Sequence, residues 1–128
     1  AITDERLQPL IRMVARIHVL EEARHVSFAR DELEKGLVGL SKRELKVHQF
    51  VAAQAAYVSM RSLVNPQVYT CVGIDPREGR HAALANPNYR ETVAWMGDKV
   101  VPYLDSVGMI PKSGRIRETW HASFLLRR

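Results

Sequence analysis

Leu7, Ile11, Val14, His18, Glu22, His25, Ala29 and Glu32 recur at steps of three and four, and this register constrains the chain more than any other feature. A period near 3.6 commits the segment to an amphipathic helix and excludes a strand, which would turn every second residue to the other face. Proline is tolerated only in a first helical turn, so Pro9 places the start of the continuous helix and Gly36 is expected to stop it after Lys35. Asp4 reads as a start signal.

In the middle of this stripe, His18, Glu22 and His25 stand at i, i+4 and i+7. At about 100° per residue they fall at roughly 0°, 40° and −20° about the axis and climb about 10 Å along one face. Two imidazoles and a carboxylate suit iron, manganese or zinc. The bare pattern serves a structural polar cluster equally well, and the surroundings tip the balance. Glu22 lies among Leu, Ile, Val and Ala, and a buried carboxylate without a cation costs several kcal/mol. Glu21 lies at the edge of the face, either exposed and paired with Arg24 or Arg16, or accepting an N–H from a ligating imidazole. Arg24 points away and is expected in an interhelical ion pair, and Glu32 lies too far along the axis to share an ion with the set.

Ser41-Lys42-Arg43-Glu44 has the form of a capping box, opening a second helix from Lys42 to about Val64 that is apolar on more than one face and expected to be largely buried. Residues 66 to 88, rich in Pro and Gly, read as a loop with at most a short helical piece from His81 to Ala85. Within it, Asp75-Pro76-Arg77-Glu78-Gly79 reads as turn chemistry. Asn88 is expected to cap a third helix that Pro102 kinks or divides, and Ile116 to Leu126 reads as a short final helix. His48, His81 and His121 show no spacing that ties them to the first helix. Tyr57, Tyr69, Trp95 and Phe124 read as core rather than contact residues. The class is all-α.

The net charge of +5 raises the question of nucleic acid, but the basic residues are dispersed among Glu and Asp as on a solvated helix surface, so no nucleic-acid partner is expected. The longest apolar run, Phe50 to Met60, contains Gln54 and is too short to cross a bilayer, so no membrane partner is expected either. A lone Cys71 cannot form an intramolecular disulfide, and no signal peptide is evident, which together suggest a cytoplasmic protein. No phosphate loop, nucleophile elbow or dinucleotide fingerprint occurs.

The segment Ile17-His18-Val19-Leu20-Glu21-Glu22-Ala23-Arg24-His25-Val26-Ser27-Phe28-Ala29-Arg30 resembles the last metal-binding helix of the p-aminobenzoate N-oxygenase (AurF-type) di-iron family. Ferritin-like proteins more often carry a bare Glu-x-x-His; this family adds a histidine one turn upstream. The resemblance implies a ferritin-like helical bundle holding two irons, with manganese as an alternative, that uses O2 to oxidise an aromatic amine. It makes His18, Glu22 and His25 metal ligands. The family's remaining four ligands precede this helix, and the chain contains no other Glu-x-x-His. It is therefore expected to be the C-terminal part of one such domain, inactive alone, holding at most one metal loosely. The expected partners are the N-terminal portion of the same protein and further copies in a homo-oligomer such as a homodimer. Two other readings remain open: a ferritin-like hydroxylase or ferroxidase, and a non-enzymatic helical interaction module.

Overall fold

Pro9 opens the first helix because its ring fixes φ near the helical value and its missing amide hydrogen is not needed in a first turn. The computed structural model describes residues 4–128, in which every regular element is a helix; residues 1–3, part of the stretch in which a signal peptide is sought, lie outside them. The chain forms two compact units, Ala1–Leu40 and Ser41–Arg128.

The first unit is built on α1 (Pro9–Leu37), 29 residues that extend about 44 Å at 1.5 Å per residue. Asp4 does not cap it: its carboxylate is held by the backbone and side chain of Arg6, and the capping position is taken by Gln8 without a side-chain bond. Gly36 does not end it either. The helix runs through Leu37, and the left-handed turn that follows is made by Gly39 at φ +79°. Gly36 keeps helical dihedrals because nothing tertiary opposes them and Lys35 complements the negative end of the helix dipole. No residue of α1 is buried; Ile11, Val14, Ile17, Val26 and Phe28 are each at least half exposed.

The second unit comprises α2 (Lys42–Ser62), α3 (Gln67–Thr70), α4 (Pro76–Ala85), α5 (Pro87–Gly97), α6 (Val100–Ser106) and α7 (Arg115–Ala122). The capping box forms as expected: the Ser41 Oγ accepts from the Glu44 amide at 3.3 Å, and the Ser41 amide donates to the Glu44 carboxylate at 2.8 Å. The expectation that α2 is largely buried fails, since only Ala53 is. One face of α2 packs on α7 around a core of Ala53, Val101, Ile110 and Trp120, while Val47, Phe50, Val51 and Val58 point outward.

The stretch read as a loop contains two helices. Asp75 is an N-cap, accepting from the amides of Arg77 at 2.9 Å and Glu78 at 3.0 Å, with Pro76 in the first turn. It looks like a tight turn in sequence because caps and turns use the same residues. The next cap is Asn86 rather than Asn88, accepting from the Asn88 amide at 2.9 Å with Pro87 behind it. Pro102 divides nothing: it sits in the first turn of α6, and the chain breaks earlier, at Asp98 and Lys99. The final helix ends at Ala122, sooner than expected, because Phe124 adopts φ +71° and reverses the tail. Trp95, read as core, is 69% exposed. None of the helices is long and apolar enough to cross a membrane, among the described residues.

Candidate metal centre

All three expected ligands lie on α1, which is unbroken from Pro9 to Leu37, so the register that puts them on one face holds. Glu22 Oε1 and His25 Nδ1 are 3.9 Å apart, with the side chains 56% and 71% exposed. His18 is likewise exposed. Among the described residues no group of three or more His, Cys, Asp or Glu side chains is gathered tightly enough to hold a metal ion. The structure therefore brings Glu22 and His25 together and leaves His18 on the same face without closing a three-donor set. The premise that Glu22 is buried in an apolar stripe is corrected: its carboxylate reaches solvent, and no desolvation cost demands a cation.

The charged neighbours pair within the helix. Arg24 Nη1 meets Glu21 Oε1 at 2.7 Å, one turn away, which replaces the interhelical pair expected for Arg24. Glu32 pairs with Lys35 at 2.8 Å. The remaining histidines belong to the second unit. His48 lies in the first turns of α2, His81 in α4, and His121 places Nδ1 3.0 Å from the Leu126 carbonyl oxygen.

The second unit holds a cleft that sequence reasoning missed, of about 790 Å³, bordered by Arg61, His81, Arg90, His121 and Phe124. Phe124 is its floor. The guanidinium carbons of Arg61 and Arg90 lie 4.9 and 5.0 Å from its ring centroid, within cation–π range, and the Tyr89 ring meets it edge-on at 6.2 Å. Left-handed backbone at a bulky residue costs about 1–3 kcal/mol and persists only when its surroundings fix it. Here the Phe124 amide bonds to the His121 carbonyl, and the buried Ser123 hydroxyl bonds to Trp120 and receives the Leu125 amide. Tyr89 donates to the Met60 carbonyl, and burial raises its phenol pKa against the opposing pull of Arg61 and Arg80. The cleft joins residues far apart in the chain, among them Phe124, whose left-handed backbone no local pattern announces.

The family described as P-aminobenzoate N-oxygenase AurF matches residues 1–108. The chain belongs to the AurF family. The match takes in α1 through α6 and stops before α7. AurF membership agrees with the all-α architecture, since the family is ferritin-like, and it implies a di-iron cofactor for the family in general. An uncharacterized protein of Mycobacterium tuberculosis (strain CDC 1551 / Oshkosh) is 42% identical over 59 residues, 46% of this chain and 16% of that protein. The aligned stretch is thus a small fraction of a much longer relative. No solved structure matches.

Proposed function

We propose that this chain is the C-terminal part of an AurF-type di-iron N-oxygenase and contributes His18, Glu22 and His25 to the metal centre. Membership of the AurF family carries the reading, together with one unbroken helix that keeps the three donors in register. In donor chemistry the set suits the group, and two of its members lie within reach of one ion: 3.9 Å between Glu22 Oε1 and His25 Nδ1 is spanned by two ligands each about 2.1 Å from it, while His18 shares the helix face without closing the set. Glu21, by contrast, is already engaged by Arg24 and serves the helix surface.

Bound iron would supply the reductive activation of O2 needed to oxidise an aromatic amine nitrogen. Within this chain, Glu22 provides the anionic oxygen donor, and His18 and His25 provide neutral nitrogens whose second ring N–H needs an acceptor from elsewhere. The other ligands, and the cover for the apolar residues of α1, come in this reading from the N-terminal portion of the same protein. Alone the chain holds at most one ion, loosely, and is inactive; the complete enzyme is a cytoplasmic homo-oligomer.

The test is metal content. The chain extended upstream to its full domain, purified without chelators, should retain iron or manganese, and Glu22→Ala or His25→Ala should lose most of it while the helix signal in circular dichroism stays. Equal metal in wild type and both variants would overturn the ligand assignment.

A further inference from the structure

We propose that the cleft over Phe124 binds a phosphate-type dianion carried on an apolar body, such as an aryl or alkyl phosphomonoester. Arg61, Arg90, Arg127 and Arg128 line it against one carboxylate, Glu91. Arg127 and Arg128 do have acidic neighbours, Asp98 at 3.4 Å and Glu118 at 3.7 Å. Both contacts exceed the 2.7–2.9 Å of a charge-assisted hydrogen bond and are solvent-exposed, so they neutralise little and yield readily to a better anion. Arg61 is the strongest indication. Its Nε is buried and lacks a hydrogen-bond partner, while its guanidinium stacks between Tyr57, at 5.3 Å, and Phe124. A planar fork fixed in this way has lost its rotational freedom before any ligand arrives, which favours an oxyanion that takes its remaining donors. Arg90 is held from the other side, its Nε donating to the Leu84 carbonyl at 3.0 Å.

Beside His81 and His121, the rest of the wall is apolar, with Leu84, Ala94, Ala122 and Leu126 lining the same space. Its volume of about 790 Å³ exceeds what an inorganic anion fills and lies in the range of small-molecule sites. An excess of guanidinium over carboxylate selects two charges over one, and the apolar wall selects an organic body over a free ion. The inference is independent of the metal ligands, since every residue in it belongs to the second unit.

Calorimetric titration of the 128-residue chain in low salt, above the second phosphate pKa, should show phenyl phosphate binding about tenfold more tightly than either inorganic phosphate or benzoate. Arg61→Met and Arg90→Met should each weaken phenyl phosphate by about tenfold, and Arg61→Lys should restore only part of it. If Arg61→Met does not fold, Arg90→Met and the backbone shifts of His121 to Leu126 on adding phenyl phosphate to the wild type decide the matter. Benzoate bound as tightly as phenyl phosphate, no saturable binding, or an unchanged affinity in Arg90→Met would each overturn the proposal.

Discussion

The backbone of Gly79 lies against the face of the Tyr69 ring, so close that a Cβ at this position would sit inside the ring carbons' contact distance. This is how a four-residue helix, α3, is held on α4. Gly79→Ala should therefore push the ring aside or part the two helices, at a cost of about 1–3 kcal/mol. Urea denaturation should show that loss when Tyr69 is present and little further loss when Gly79→Ala is added to Tyr69→Ser. An equal cost of Gly79→Ala in both backgrounds would mean that the ring is not the obstacle.

Trp120 is 2% exposed in the core against Ala53, Val101 and Ile110, yet its Nε1 has no hydrogen-bond partner. Two opposing effects then separate by substitution. Trp120→Ala removes the whole ring and should cost about 3–5 kcal/mol. Trp120→Phe sacrifices packing but also removes an orphaned donor whose burial costs about 1–3 kcal/mol, so its net effect should be small. Thermal unfolding of both variants checks the contrast, and similar losses in the two would show that the indole N–H is satisfied in solution.

What could be read in the sequence was whatever neighbours in the chain decide. The Ser41 and Glu44 box lies within four residues, and α1 is carried by its own period, so both were legible. Asp75-Pro76 and Asn86-Pro87 were not, because an Asp or Asn before a proline begins a turn and a helix alike until the following residues are seen to stay helical. Burial was the least legible property. Glu22 and the apolar residues around it form a stripe whose period is independent of whether anything covers it, and α2 is apolar on two faces of which only one meets α7. The Phe124 cleft left no local trace, since it depends on Arg61, Arg90 and a left-handed residue that meet only in the folded unit.

The capping box also predicts a pH response. Hydrogen bonds from the Ser41 hydroxyl and amide hold the Glu44 carboxyl below its ordinary value of 4.5. A depressed folded-state pKa means that the stabilisation is fully present above the unfolded value and is lost as pH falls through the folded one. The start of α2 should accordingly fray in acid, with the Glu44 side-chain carbon titrating below the ordinary glutamate value in NMR. Glu44→Ala should fray at all pH values, and Ser41→Ala should cost about 1 kcal/mol. A Glu44 midpoint at the ordinary value would remove the basis for this expectation.

Val47, Val51 and Val58 recur on one stripe of α2, joined by Phe50, and each is more than half exposed, at 56%, 58%, 60% and 53%. The opposite stripe carries Ala52, Ala53 and Ala56 into the core, and the outward residues are not among those packed on it. An uncovered apolar stripe on a helix is the kind of surface that associates, at roughly 25 cal/mol for each Å² withdrawn from water. Sedimentation velocity should therefore show association that grows with concentration, and Val51→Glu with Val58→Glu should shift the chain toward monomer. Because both sites are solvent-facing, the variants should change unfolding stability by no more than about 0.5 kcal/mol each. Association untouched by the two charges would place the sticky surface elsewhere, and a large loss of stability would mean that the stripe is covered within the chain itself.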